Sequence, residues 1–176
     1  MPTRPHQGEP LPLELVNTEW MSRGERVDFF EDDVAVGQWL SENGFTDRVS
    51  DARLPLLEAR AALRDALDRP TGGAEARLNA VLDHGSVRLQ IRAGSLERRV
   101  EADPGWLPAW TAVSQYAELL EMDRDRVRQC AHPECVLYFH DTSRNGTRRW
   151  HSMETCGARF KAQRHYRRVQ SRDAAF

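Results

Sequence analysis

Lysine is almost missing from this 176-residue chain: of its 25 basic residues 24 are arginine, and Lys161 stands alone. Such a bias follows from codon composition as readily as from phosphate binding, so where the arginines lie says more than their number. No apolar run approaches the ~18 residues a membrane helix needs, which excludes a helical membrane protein. The opening MPTRPHQGEPLPLE has no apolar core behind its basic residues. No export signal is therefore expected, and a cytoplasmic location follows. Internal repeats, low-complexity linkers and glycine-rich phosphate loops after a strand are all missing, and no nucleophile is spaced with a base, so an enzyme is not expected. Cysteine is scarce as well. The three present, Cys130, Cys135 and Cys156, fall in one stretch. In a reducing compartment an odd, clustered set points to metal ligation rather than disulfides.

What is present is a soluble composition, 40% hydrophobic and 30% charged, long enough for one core and a small appended module. The net charge of −2 hides an asymmetry: residues 1–123 hold 13 Arg against 22 Asp or Glu, while residues 124–176 hold 12 basic residues against 5 acidic ones. An acidic body thus carries a basic tail, and only the tail is suited to a polyanion.

In the body, Leu11, Leu13 and Leu15 alternate with other residues and predict a first strand ending near Asn17. Asp32 or Asp33 should cap a helix with Val36, Trp39 and Leu40 on its apolar stripe, stopped at Gly44. A long helix from Asp51 should face inward with Leu54, Leu57, Ala61, Ala62, Arg64 and Leu67 and end before Pro70 and Gly72-Gly73. A shorter helix follows. Val87, Leu89 and Ile91, then Leu96 and Val100, predict a β-hairpin across Ala-Gly-Ser. After Pro104-Gly105 a helix should carry Trp106, Trp110, Val113, Tyr116, Ala117 and Leu120. Glu14, Asn17, Glu19 and His84 read as surface or turn residues rather than catalytic ones.

Cys130 and Cys135 are four residues apart in the intervening count, and His151 precedes Cys156 by the same spacing. Two such short loops bring four donors to one tetrahedral ion, so Cys130, Cys135, His151 and Cys156 are the expected zinc shell. His132 and His140 compete as the fourth donor. VLYFHD and TRRWH read as two strands joined at Asn145-Gly146, followed by a helix capped by Ser152. Loop, hairpin and helix around one ion make a treble-clef-like module. A filled shell has no open position for substrate, so the zinc is structural. Arg144, Asn145, Arg148 and Arg149 lie on the expected hairpin, and Arg159, Lys161, Arg164, Arg167 and Arg168 on the last helix, a basic set suited to double-stranded DNA. The competing reading pairs these cations with the acidic body. Asp141 and Trp150 are expected to support the module internally.

The stretch FHDTSRNGTRRWHSMETCGARFKAQR resembles the CGNR zinc finger, and LPLELVNT with the helical run after it resembles the ABATE domain that commonly precedes it. The resemblance implies a stress-induced bacterial transcription regulator with the metal ligands named above and Arg159 as the last residue of the name motif. His151 stands where the family usually has cysteine. Ala158 replaces the family asparagine, removing a side chain able to read an adenine edge.

The expectation is therefore an α+β protein with a mostly helical body (1–123) and a zinc module (124–176) that binds double-stranded DNA, with one structural Zn2+. A homodimer and a small-molecule effector of the body are expected partners. The alternative is a zinc-stabilised protein–protein adaptor without DNA readout.

Overall fold

Pro10 opens a helix where the leucine alternation had promised a strand. In the computed structural model, which describes residues 4–164, α1 spans Leu11–Val16 with a proline in its first turn, a position where the missing N–H costs nothing. Leu13, Leu15 and Val16 are fully buried. Glu14 is buried too, its carboxylate taken by Arg4 at 2.6 Å. An element covered on every side leaves no period to read, which is why two-residue alternation misled. Strand structure begins later. β1 (Glu19–Ser22) pairs antiparallel with β2 (Glu25–Asp28). The turn residues Arg23 and Gly24 have φ of 51° and 87°, the geometry of a two-residue type I′ connection. This hairpin was not anticipated, since its four-residue strands bury only Trp20.

Asp32 caps α2 (Asp33–Glu42) by accepting from Ala35 N–H at 2.7 Å, and Val36, Trp39 and Leu40 are buried as expected. Gly44, at φ +78°, turns the chain after α2. α3 (Val49–Asp68) is the central helix, packed against α1, α2, α4 (Gly72–Leu82) and α5 (Leu107–Asp123). Its inward face differs in part from the expected one: Ala52, Leu56, Ala59, Leu63 and Ala66 are buried along with the expected Ala62, whereas Leu54 is 67% exposed, Ala61 is exposed, and Leu57, Arg64 and Leu67 are half-buried. Alanines let neighbouring helices approach closely, whereas weighting leucines placed the stripe one step round. Thr71 caps α4 by accepting from Ala74 N–H at 3.3 Å.

Arg60 ties α3 to the first hairpin. It forks onto Asp28 at 2.6 and 2.7 Å and reaches Thr18 at 2.8 Å, while Arg64 donates to Val16 O and pairs with Glu19 at 2.9 Å. Pro55 lies inside α3 and cannot donate to Asp51 O, the carbonyl four residues back. Gly105, at φ +78°, sits against that carbonyl, so close that a Cβ would lie 2.3 Å from it.

β3 (Gly85–Arg92) pairs with β4 (Ser95–Ala102) through Ala93-Gly94, as expected. Its apolar residues Val87, Leu89, Ile91, Leu96 and Val100 remain exposed. In the C-terminal part, β5 (Val127–Gln129) pairs with β6 (Tyr138–His140). VLYFHD thus pairs upstream, not with TRRWH as expected. Ser152 caps a π turn, Met153–Gly157, that runs into a helix over 158–164. Leu137 and Tyr138 belong to the same buried cluster as the residues of α1 to α5. The fold is α+β, with three two-stranded sheets among the described residues. No described helix is long and apolar enough to cross a membrane.

Candidate metal centre

Cys130 extends β5: its N–H donates to Leu137 O at 2.9 Å. The chain then turns on Cys135 N–H donating to His132 O, also at 2.9 Å, which returns the second thiol beside the first. Ala131 N–H reaches Arg149 O at 2.8 Å and draws the segment before His151 alongside this loop. The π turn finishes the set. Ser152 accepts from Thr155 N–H at 3.2 Å, and Gly157 N–H reaches Ser152 O at 3.1 Å, placing Cys156 inward.

Cys130, Cys135, His151 and Cys156 come together with one ligand atom each, all within 4.8 Å of one another. Three of them are buried and Cys135 is half-buried. Cys135 Sγ lies 3.5 Å from His151 Nδ1. A tetrahedral ion with Zn–S of about 2.3 Å and Zn–N of about 2.0 to 2.1 Å sets that edge at roughly 3.5 to 3.6 Å, so this edge already has the separation zinc requires. His132 and His140 are outside the cluster. His132 is buried and accepts from Glu134 N–H at 3.3 Å, and His140 pairs with Asp123 at 3.3 Å.

The three thiols hold protons unequally. Hydrogen bonding from Cys135, and next from His151, outweighs burial and draws Cys130 well below an ordinary thiol. The bond to Cys130, together with burial, pushes Cys135 up, and burial with the Cys130 charge raises Cys156. A single thiolate cannot satisfy this crowded site. A divalent cation, by contrast, stabilises all three as thiolates. Arg159 adds a weak donor, 3.9 Å from Cys156 Sγ.

Residues around the shell hold it in shape. Asp141, fully buried, accepts from Ser143 N–H at 3.0 Å and Arg148 N–H at 2.9 Å, and also from the Ser143 hydroxyl. Its internal role agrees with expectation, and these bonds explain why 142–148 forms a side-chain-organised turn instead of a strand. Arg148, expected on the DNA-facing set, is half-buried: it donates to the carbonyls of Trp150 and His151 and lies over Phe139. Arg144, Asn145, Arg149, Arg159, Lys161 and Arg164 are exposed. Arg167 and Arg168 lie outside the described residues.

Several supports carried no spacing signal. Arg126 donates to the carbonyls of Asp141 and Ser143 at 3.0 and 2.6 Å. His6 lies 4.9 Å from the His151 ring and bonds Glu9 at 2.7 Å, and Glu9 also accepts from His140 N–H at 2.7 Å. Asn17, read as a turn residue, clasps Tyr138. Glu14 and Glu19 serve ion pairs, and His84 stacks on Trp106 at 3.5 Å.

Comparison with protein families matches residues 9–123 to the ABATE model, described as "Putative stress-induced transcription regulator". The chain belongs to the ABATE family. Residues 126–169 match the CGNR zinc finger, so this ABATE chain carries the metal cluster inside its matched finger. Finger and cluster together support one structural zinc. No curated protein matches the chain.

Proposed function

We propose that the chain regulates transcription by binding double-stranded DNA through its zinc module, residues 124–176, with residues 1–123 as a body that senses a small molecule or dimerises. Cys130, Cys135, His151 and Cys156 hold the zinc, and the metal fixes the turn and helix that display the cations. One observation carries this reading. Among the described residues, Arg144, Arg149, Arg159, Lys161 and Arg164 are exposed and make no ion pair with the acidic body. Cations without a carboxylate partner on a metal-fixed scaffold remain available to phosphate oxygens and guanine edges. Asn145 sits among them. Arg148 acts as a positioning residue through the His151 carbonyl.

The test is binding of zinc-loaded protein to a random duplex pool at several salt concentrations, beside Arg144→Ala and Arg164→Ala. Enrichment of one motif is expected, with each variant lowering the slope of log affinity against log salt by about 0.9. No binding at low salt by metallated protein would overturn DNA readout and leave the basic surface as a docking site for an acidic protein.

A further inference from the structure

The turn between α3 and α4, the end of α5 and the start of β5 line a half-open cavity of about 250 Å³. Its apolar walls come from Leu67, Leu78, Leu120 and Val127. Two polar groups face it without partners. Tyr116 is only 5% exposed, yet its hydroxyl makes no hydrogen bond among the described residues, and burial outweighs the pull of Arg124 to keep the phenol protonated as a donor. Arg124 is exposed at the rim and pairs with no carboxylate among the described residues. The ring is buried while the hydroxyl oxygen opens on the cavity, where water or a ligand can complete its hydrogen bonding. The volume falls just below the roughly 300 Å³ at which drug-sized pockets begin, which limits the guest to a small molecule.

We propose that this cavity binds a small aliphatic or aromatic monocarboxylate, its apolar part against Leu67, Leu78, Leu120 and Val127 and its carboxylate on the Arg124 guanidinium and the Tyr116 hydroxyl. The assignment rests on the reading of residues 1–123 as a sensing body, completed at this cavity by Arg124 and Val127 of the zinc module, and names the chemistry sensed. Glu75 also lines the cavity, and its charge disfavours a dianion. Val127 begins β5, and Gln129 on that strand pairs with Tyr138 immediately before Cys130. A guest pressing on Val127 therefore bears on the strand that leads into the metal centre.

Amide chemical shifts of the zinc-loaded full chain, titrated with benzoate and with uncharged benzyl alcohol, test this without DNA. Benzoate should shift the signals of Tyr116, Arg124 and Val127 saturably, and benzyl alcohol should bind about ten-fold more weakly, as expected for a lost charge-assisted hydrogen bond. Arg124→Gln and Tyr116→Phe, neither of which breaks an existing bond, should each remove most of that preference. Equal affinity for the two probes, shifts confined to another part of the molecule, no saturation at tens of millimolar, or benzoate binding unchanged in both variants would overturn the proposal. Failure here leaves DNA binding standing, and a protein that ignores DNA can still pass this test.

Discussion

Asn17 and Tyr138 hold each other by two buried hydrogen bonds across 121 positions of chain: Asn17 Nδ2 donates to Tyr138 O at 2.8 Å, and Tyr138 N–H donates to Asn17 Oδ1 at 2.9 Å. The asparagine side chain takes the place of a neighbouring strand for β6. Tyr138 is further anchored by its hydroxyl, which donates to Asp68 on α3. Body and finger are thereby joined through main-chain atoms three residues from Cys135.

Asn17→Ala leaves a buried N–H and C=O without partners. With each unsatisfied group costing about 1 to 3 kcal/mol, thermal unfolding should fall by at least about 4 °C in a chain of this size. Zinc affinity measured by chelator competition should fall as well. An unchanged melting temperature would show that water replaces the clasp.

Metal analysis should return one zinc per chain. His151→Ala should weaken binding steeply, whereas His151→Cys should retain the ion because sulfur suits the same tetrahedral shell. Equal retention by wild type and His151→Ala, in competition with a zinc-binding dye, would remove His151 from the shell.

Acid stability depends on carboxylates held low. Burial raises Asp28, but the Arg60 fork and Phe30 N–H outweigh it and leave its pKa below the ordinary value. Glu9 is likewise lowered against burial, chiefly by His6 and His140 N–H. A carboxyl with a depressed folded pKa stabilises fully above its unfolded value, about 3.9 for Asp and 4.3 for Glu, and loses that contribution as pH falls through the folded value. Denaturant unfolding should therefore weaken below about pH 4. Arg60→Met should flatten this limb and, by stripping a buried fork from its partner, cost about 3 kcal/mol near neutrality. An unaltered acid limb in that variant would refute the assignment.

Gly105→Ala should destabilise the body although the position is chemically plain. Its backbone is in the left-handed region, and the added Cβ would lie 2.3 Å from Asp51 O. The conformation alone costs about 1 to 2 kcal/mol, so Gly44→Ala, with the same backbone but open space around it, should lose about that much in urea unfolding and Gly105→Ala clearly more. A neutral Gly105→Ala would mean the α5 lead-in can shift.

The metal centre was legible because cysteine and histidine spacing reports directly on loop closure: four donors in two matched loops needed no knowledge of packing. The β3–β4 hairpin and α2 were legible for a similar reason, since alternation and an aspartate cap act locally. α1 was not, because its surroundings bury both faces and erase the period. On α3 the packing of alanines against neighbours decided the inward face, and no count of leucines could reveal it. The partner of β6 was hidden by Asp141, whose bonds to Ser143 and Arg148 stop the downstream chain from forming a ladder. The His6 and Arg126 supports are long-range contacts with no spacing to betray them.

The sharing of one core between Leu137, Tyr138 and the helices of the body bears on inheritance. A finger whose strand depends on Asn17 and Asp68 is not a portable cassette. Recombination that carried the matched finger, residues 126–169, to a different body would bring the metal ligands intact but leave the β6 backbone without its clasp. The two matched segments are thus mechanically coupled in this chain, and each constrains which substitutions the other can accept.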